Sequence, residues 1–302
     1  MTGTTTRTAP RRWWHWTRAV TGLAALGMTA SGCAGQAAEP KGSGIDAALH
    51  ARLPQDVRDA GVLTVATDAS YPPASFFGAD GRTVVGFEPD LAEALGALLG
   101  VRVRFVVTDF TDTLDDVQAG RTDVVVSAMT DTAERERQAD FVNYFNAGTA
   151  ILVQRGNPHG IAGLDDLCGR VVAVERGTVQ VGLLERSQRR CTDGLIQVRT
   201  HLTNDDALVE LRTGRADAVL NDYPPAAWLT AQPATQAHYQ LASDTQYEPG
   251  LYGIAVAKDR TRLRQAIAAA LRRLVASGEY ARILRAWDVA DGAVREVTVN
   301  LG

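Results

Sequence analysis

The sequence contains few of the residues that metal sites and nucleophilic active sites require. Only five of its 302 residues are histidine and three are cysteine. No histidine stands at ligand spacing from a cysteine, and no Ser-His-Asp or Cys-His arrangement is recognisable. The dispersed histidines are His15, His50, His159, His201 and His238. We therefore expect no metal ion, no cofactor and no catalytic residue.

An excess of charge of one sign is also absent. The chain carries 31 Lys and Arg against 35 Asp and Glu, a formal net charge of −4, and its basic residues are scattered. This distribution excludes the basic patch of a nucleic-acid-binding protein. With 45% hydrophobic residues the chain can bury a core, and its length allows one large or two ordinary domains.

Long apolar runs are missing too. The apolar run 19–30 is too short for a stable membrane span. It follows a basic start and precedes Cys33, which is typical of an export signal. Residues 1–33 resemble a bacterial lipoprotein signal with Cys33 as the lipidated residue. Because Ala30 stands where leucine is usual, an ordinary secretory signal is the alternative. Residues 34–58, which begin rich in Gly and Ala, are predicted to be a flexible tether.

The two remaining cysteines are Cys168 and Cys191. In an exported protein an isolated pair favours a disulfide over two free thiols. Metal binding is not indicated, because no histidine lies at ligand spacing from either cysteine. The sequence therefore predicts a disulfide between them.

Short β-branched stretches alternate with Ala- and Leu-rich stretches from residue 62 onward. The predicted strands are 62–66, 101–107, 124–127, 171–174, 218–220 and 254–256. The predicted helices are 89–99, 111–119, 132–138, 207–213 and 262–277. This alternation predicts an α/β fold with parallel sheets covered by helices.

Residues 114–126 and 208–220 form a weak internal repeat. In each copy a helical stretch ends at Gly120 or Gly214, an Arg-x-Asp follows, and an apolar strand begins. A glycine at this point is typical of a helix C-cap. Two lobes built on one plan account for the repeat, with chance similarity of two helix–strand turns as the alternative.

Polar residues follow four predicted strands. These strand ends are residues 67–68, 127–130, 175–178 and 221–222. Ligands of open α/β sheets bind outside the carboxyl ends of the strands. The sequence therefore predicts that these residues form two facing walls of a pocket.

Nine short motifs occur in an order typical of one protein family. They are TDASYPP (67–73), GFEPDL (86–91), GRTDV (120–124), TAER (132–135), DFV (140–142), GT (177–178), GRADAV (214–219), YGIAV (252–256) and SGEYA (277–281). The chain therefore resembles the extracellular solute-binding proteins of polar amino-acid ABC importers, called family 3, over about residues 61–289.

The resemblance implies the fold of the periplasmic binding proteins, in which two α/β lobes joined by two hinge strands close on a ligand. Lobe 1 would comprise residues 59–150 plus 254–290, and lobe 2 would comprise residues 151–253. A C-terminal tail, 291–302, would follow. The chain would cross between lobes near 148–153 and 249–255.

The resemblance also implies a ligand site. Arg135 would hold the ligand's α-carboxylate with its guanidinium fork, on a helix N-terminus capped by Thr132. Asp222 would hold the α-ammonium, since an unpaired acid at a buried strand end is costly. The other ligand-binding residues would be Asp68, Tyr71, Phe110, Ala128, Met129, Thr130, Glu175, Gly177 and Thr178. Asp68 as a strand-end cap, and Tyr71 and Phe110 as core aromatics, are the structural alternatives.

The chain departs from the family pattern at several of these positions. Ala74 and Ser75 follow the two prolines where phenylalanine is usual, which leaves open whether Phe76 replaces the aromatic ring. Asp131 replaces an apolar residue, and Ala128 stands where some relatives have serine. Glu175 lies at a position that varies with the ligand, and an acid there favours a cationic side chain such as arginine's.

The predicted function is that of a monomeric, lipid-anchored binding protein on the outer face of the cell membrane, which delivers an L-amino acid to an ABC permease. Two alternatives stay open. One is a dehydratase of prephenate-like acids on the same scaffold, with Glu175 as the one candidate for the required general acid. The other is a sensory subunit that presents its ligand to a receptor.

Overall fold

The structure is a computed structural model that describes residues 44–302. The predicted signal 1–33, with Cys33, and the first part of the predicted tether lie outside the described residues. In the described part no helix is both long and apolar enough to cross a membrane.

Helices and strands alternate along the described part of the chain. The α-helices are α1 (Ala47–His50), α2 (Gln55–Ala60), α3 (Phe87–Leu99), α4 (Thr113–Gln118), α5 (Val179–Ser187), α6 (Asn204–Arg212), α7 (Tyr223–Ala231), α8 (Thr261–Ser277) and α9 (Glu279–Ala286). The strands are β1 (Val62–Thr67), β2 (Ser70–Tyr71), β3 (Ser75–Phe77), β4 (Val84–Val85), β5 (Arg102–Val107), β6 (Val124–Val125), β7 (Ala139–Gln154), β8 (Val171–Glu175), β9 (Gln197–His201), β10 (Ala218–Asp222), β11 (Tyr239–Leu241) and β12 (Tyr247–Ala257). All six predicted strands are confirmed.

Two long strands join two lobes. The main sheet has the strand order β5-β1-β6-β12-β7-β10-β8-β9, with β11 also paired to β7. The first half of β7 pairs with β12, and its second half pairs with β10 and β11. On one side of this pair lie the parallel strands β5, β1 and β6, and on the other lie β10, β8 and β9. The predicted fold of two α/β lobes joined by two hinge strands is therefore confirmed.

Apolar faces of the helices cover both sides of each half-sheet. In lobe 1, α3, α8 and α9 pack their leucines on one face, and α4 with Phe110 covers the other. In lobe 2, α6 and α7 cover one face and α5 covers the opposite one. These helices hold the strands so that their carboxyl ends open toward the junction of the lobes, which places the polar strand-end residues together.

The internal repeat is confirmed in detail. In lobe 1, α4 is followed by Gly120 at φ 68°, and in lobe 2 α6 is followed by Gly214 at φ 72°. The acid of each copy accepts a backbone N–H from the neighbouring strand: Thr64 N–H donates to Asp123 at 2.8 Å, and Val171 N–H donates to Asp217 at 2.9 Å. The same hydrogen-bonded turn therefore leads into β6 in lobe 1 and into β10 in lobe 2.

Two expectations need correction. The stretch 132–138 does not form an α-helix, because only a 3₁₀ turn, Arg135–Arg137, is present there. Thr132 nevertheless accepts the Arg135 N–H at 3.2 Å, as a capping residue does. The segment 34–58 contains helical structure in its described part, since α1 and the start of α2 bury Leu49 and Val57 in lobe 1. The burial of these apolar side chains in the core of lobe 1 orders this segment.

The predicted disulfide is present. Cys168 and Cys191 are joined, with 23 residues of sequence separation and 5.4 Å between their Cα atoms. Cys168 precedes β8, and Cys191 follows α5 and one further 3₁₀ turn, Gln188–Arg190. The bond therefore closes the β8–α5 unit of lobe 2 at the end remote from the β8–α5 turn.

We expect the double variant Cys168→Ser/Cys191→Ser to lower the free energy of unfolding by about 2–4 kcal/mol, because the open loop gains entropy in the unfolded chain. Denaturant unfolding measures this loss. A reductant should destabilise the unmodified protein by a similar amount and leave the double variant unchanged. Equal stability of all these samples would contradict the prediction.

Candidate ligand-binding site

A pocket of about 340 Å³, a volume that includes its opening to solvent, lies where the two lobes meet. Lobe 1 contributes residues from the ends of β1 and β6 and from the Arg135 turn, and lobe 2 contributes the ends of β8 and β10 and the start of α5. The lining residues are Asp68, Tyr71, Phe110, Ser127, Ala128, Thr130, Arg135, Glu175, Thr178, Val179, Gln180 and Asp222.

The structure brings the sequence-predicted residues together around this pocket. All of them line it except Met129 and Gly177. Those two line the adjoining cleft, which shares Thr130 and Arg135 with the pocket. Within residues 44–302 no group of three or more His, Cys, Asp or Glu side chains is arranged to hold a metal ion.

The guanidinium of Arg135 spans the junction of the lobes. Its Nη1 donates to the Thr130 carbonyl oxygen of lobe 1 at 2.7 Å, and its Nη2 donates to the Gly177 carbonyl oxygen of lobe 2 at 2.9 Å. The group also lies over the Phe110 ring, 5.4 Å from the ring centroid. Burial lowers the pKa of Arg135 to about 10, so the side chain stays cationic at neutral pH.

The start of α5 adds further positive potential beside Arg135. Thr178 is the N-cap of this helix, and Val179 and Gln180 form its first turn at the pocket wall. First-turn N–H groups and the helix dipole favour an anion at such a place. Gly177 precedes them at φ 76°, where a Cβ atom would lie 2.9 Å from Thr111 of the other lobe. Only glycine allows the two lobes to approach so closely there.

Asp222 is a buried acid that lines the same pocket. Its carboxylate accepts hydrogen bonds from the Tyr71 hydroxyl at 3.1 Å and from Gln180 Nε2 at 2.8 Å. Its backbone N–H donates to the same hydroxyl at 2.8 Å. Burial raises the pKa of Asp222 to about 6, although these hydrogen bonds and Arg135 act in the other direction. A cation bound here would remove that cost of burial.

Glu175 is the least satisfied acid of the pocket. It is 7% exposed, and its Oε1 accepts no hydrogen bond from any residue that the structure describes. Burial raises its pKa to about 9, and the charges of Asp68 and Asp222 add to the effect. The ionised form of such a buried carboxyl group, which has no hydrogen-bond donor of its own, is strongly favoured when a cationic donor binds beside it.

Asp68 is held at the end of β1 by backbone contacts. Its Oδ1 accepts the Ser70 N–H at 2.8 Å, and its own N–H donates to Ser127 Oγ at 2.9 Å. Burial raises the pKa of this acid as well. The side chain therefore both caps the strand end and lines the pocket.

A buried carboxylate behind the pocket fixes the loop that follows β6. Glu88 is fully buried and accepts the Ala128 N–H at 2.6 Å, together with the hydroxyls of Ser75 and Tyr144. Ala128 has φ 46°, an unusual value for a residue other than glycine. The Glu88 hydrogen bonds therefore hold a strained loop in the shape that exposes Thr130 to the ligand.

Phe76 does not line the pocket, so it does not replace the aromatic ring that the sequence lacks at Ala74 and Ser75. It packs instead with Trp287 of lobe 1 and Trp228 of lobe 2, with ring centroids 5.9 and 6.3 Å away. The two tryptophan rings are 6.0 Å apart. This aromatic cluster is a contact between the lobes outside the ligand pocket.

Three lining residues were not predicted: Ser127, Val179 and Gln180. Ser127 belongs to a strand end that the sequence analysis singled out, but its role is to orient Asp68. Gln180 follows the Gly-Thr motif by two residues. The first turn of a helix after such a motif is the signal that could have identified it.

Comparison with known proteins identifies the family of the chain. The model of the bacterial extracellular solute-binding proteins, family 3, matches residues 63–290. The chain belongs to this family. The arginine-binding protein ArgT of Corynebacterium glutamicum is 31% identical over 258 residues, 83% of this chain and 82% of that protein. The L-cystine-binding protein TcyJ of Escherichia coli is 31% identical over 236 residues, 78% of this chain and 85% of that protein.

Solved structures show the same fold. An ancestral arginine-binding protein bound to arginine is 36% identical, with a TM-score of 0.70 over 75% of this chain and 98% of that chain. The ancestral amino acid-binding protein AncCDT-1, a precursor of cyclohexadienyl dehydratase, is 31% identical, with a TM-score of 0.67 over 77% of this chain and 97% of that chain. This family member is therefore similar both to binding proteins and to the precursor of an enzyme.

We expect Arg135→Ala to weaken ligand binding by about 2–5 kcal/mol, because the ligand carboxylate would be buried without its partner. Isothermal titration calorimetry measures the loss. Arg135→Lys retains the charge without the planar fork, so its ligand affinity should lie between that of Arg135→Ala and that of the unmodified protein. Binding of the alanine variant within twofold of the unmodified protein would show that Arg135 is not the clamp.

We also expect the ligand-free protein to lose stability as the pH rises from 5 to 9. Glu175 and Asp222 have raised pKa values in the fold, about 9 and about 6, so they bind protons more tightly there than in the unfolded chain. Their stabilising contribution is complete below pH ~4 and is lost as the pH rises through the folded values.

Thermal unfolding midpoints across this pH range test the expectation. Glu175→Gln should flatten the decline above pH 6. Glu93→Gln, which changes an exposed acid on α3, serves as the control and should keep the decline. An equal slope in both variants would contradict the assignment to Glu175.

Proposed function

We propose that this protein binds an L-amino acid with a cationic side chain, of the arginine class, and delivers it to an ABC permease. The observation that carries the proposal is the charge of the pocket lining. One cation, Arg135, lines the pocket together with the start of α5 and three acids, Asp68, Glu175 and Asp222. An α-carboxylate matches Arg135 and the helix start, and an α-ammonium together with a second cation matches the acids.

The count of charges distinguishes a cationic ligand from a neutral one. A neutral amino acid brings one ammonium group, which Asp222 can hold. It would leave Glu175 buried with an unpartnered oxygen. A guanidinium supplies five N–H donors on a planar cation and would satisfy that oxygen. ArgT and the ancestral arginine-binding protein are named for arginine, which supports this choice, whereas TcyJ is named for a different amino acid.

The roles of the individual residues form part of the same proposal. Arg135, Thr130, Gly177 and Thr178 hold the carboxylate, Asp222 holds the ammonium, and Glu175 with Asp68 holds the side-chain cation. Tyr71 and Phe110 pack against the aliphatic stem. In addition, Gln180 orients the Asp222 carboxylate through its 2.8 Å hydrogen bond.

The cellular setting is proposed from the sequence and the family. We infer export, removal of residues 1–32 and lipid attachment at Cys33, which would keep a monomeric binding protein near its permease. Membrane anchoring by stable lipidation is consistent with an apolar run too short to span a bilayer.

An enzyme on this scaffold is the second candidate, and the state of Glu175 is the structural observation that favours it. Glu175 has a pKa raised to about 9 by burial, so it is protonated at neutral pH as a general acid must be. The same acid and a similarity to the precursor of a dehydratase support this reading. We prefer the binding function, because ArgT and TcyJ are named as binding proteins.

A thermal-shift panel tests the proposal. The full chain is freed of co-purified ligand by unfolding and refolding, and is then mixed with each common L-amino acid or with prephenate. A ligand at about a thousand times its Kd stabilises the native state by roughly 4 kcal/mol. We expect the largest shift with arginine. A shift with prephenate alone, accompanied by its conversion to an aromatic product with loss of water and CO2, would favour the enzyme.

The pair arginine and citrulline isolates the charge of the side chain, since citrulline is its neutral isostere. We expect arginine to bind at least about tenfold more tightly, and Glu175→Gln to reduce this ratio, because a charge-assisted hydrogen bond is lost. The control variant Glu93→Gln, at an exposed position on α3, should keep the ratio. An unchanged ratio in Glu175→Gln would remove Glu175 from the side-chain site.

A further inference from the structure

Residues 297–302 lie outside the range 63–290 that the family model matches, yet they are tied into lobe 1. Val297 is buried in the lobe 1 core. Asn143 N–H donates to the Thr298 carbonyl at 3.0 Å, and Asn300 N–H donates to the Phe141 carbonyl at 3.1 Å. With the antiparallel bridge between Val142 and Val299, these bonds add a short strand to the first half of β7.

Side chains lock the register of this segment, called the strap below. Asn300 Oδ1 accepts the Phe141 N–H at 2.8 Å, and Asn300 Nδ2 donates to Asp140 at 3.0 Å. Asp140 is itself paired with Lys258 at 3.0 Å and with Arg264. The strap therefore has one defined position along β7, because a shift by one residue would break both Asn300 contacts.

The strap reaches both sides of the turn that carries Arg135. Leu301 N–H donates to Asp131 Oδ2 at 3.0 Å, and Gly302 N–H donates to Glu136 Oε1 at 2.9 Å. A Cβ atom at position 302 would lie 2.5 Å from backbone atoms of residues 131 and 132. The strap is thus packed directly against the turn.

This contact gives a reason for the aspartate that departs from the family pattern. Asp131 is 3% exposed, and within the described residues its Oδ2 has the strap N–H as its partner. An apolar residue at 131 could not accept this hydrogen bond. The turn itself is short, and its backbone hydrogen bonds run from the N–H groups of Glu136, Arg137 and Gln138 to the carbonyls of Thr132, Glu134 and Arg135. Contacts from outside the turn therefore add to the few bonds that hold it in place.

We propose that the strap is a positioning element for the ligand carboxylate site, in which Asp131 and Glu136 hold the turn so that Arg135 keeps its guanidinium at the pocket. Asp131, Glu136 and Asn300 touch no ligand and act through Arg135. The inference rests on the proposed role of Arg135 as the carboxylate clamp.

The test compares Asp131→Ala and Asn300→Ala with Glu296→Ala, an exposed residue next to the strap that serves as the matched control. Calorimetry with L-arginine should show Kd raised about fivefold in the first two variants, the equivalent of one lost hydrogen bond, and unchanged in the third. Asp131→Asn, which retains an oxygen acceptor for the Leu301 N–H, should recover most of the affinity.

Hydrogen exchange of the ligand-free full chain separates positioning from a general loss of stability. We expect faster exchange in Asp131→Ala at the amides of 130–138, with exchange of the lobe 2 strand β10 unchanged. Unchanged exchange at 130–138, or faster exchange throughout the protein, would overturn the proposal. Failure of the unmodified protein to bind arginine would contradict only the proposed ligand. The exchange experiment is done without ligand, so it still tests whether the strap holds the turn.

Discussion

Three acids and one guanidinium line the pocket at the junction of the lobes, and hydrogen bonds from the surrounding structure offset part of this excess of negative charge. Asp222 is hydrogen-bonded by Tyr71 and Gln180, and Asp68 is held by the Ser70 N–H. Among residues 44–302, one oxygen of Glu175 has no hydrogen-bond partner. Burial of like charges raises their pKa values, so the empty pocket is costly unless protons or a cationic ligand compensate. In the proposed function, this electrostatic cost favours both a cationic ligand and closure of the lobes on it.

The two hinge strands explain how this charge can be exposed and then enclosed. Because β7 and β12 run through both lobes, lobe movement requires changes at only a few residues within them. Hydrogen bonds from Arg135 to Gly177 and between Tyr71 and Asp222 cross the junction directly. A ligand that contacts both walls would replace or reinforce these bonds, and such differential contacts are what drives closure.

Much of the fold could be predicted from the sequence. Buried parallel strands are short β-branched runs with polar residues at their ends, and three such strand-end acids, Asp68, Glu175 and Asp222, line the pocket. The helix expected at 132–138 was wrong, because local composition does not distinguish an α-helix from a single 3₁₀ turn braced from outside. Helices α1 and α2 were missed, since a Gly- and Ala-rich segment was judged by composition while their order comes from Leu49 and Val57 packing on lobe 1.

Contacts between distant parts of the chain were beyond sequence reasoning. Gln180 meets Asp222 across 42 residues, and Leu301 meets Asp131 across 170. Neither pair has a local signature, because the hydrogen-bonding group is an ordinary amide whose partner is defined only by the fold. The aromatic cluster of Phe76, Trp228 and Trp287 is another such case.

The aromatic cluster has a consequence for the fluorescence of the protein. Of the five tryptophans, Trp13, Trp14 and Trp16 lie in the predicted export signal, whereas Trp228 and Trp287 face each other from different lobes. After export, both indole emitters of the protein would stand on the surfaces that separate and meet during ligand capture. The intrinsic fluorescence of the unlabelled protein would thus report the distance between its lobes.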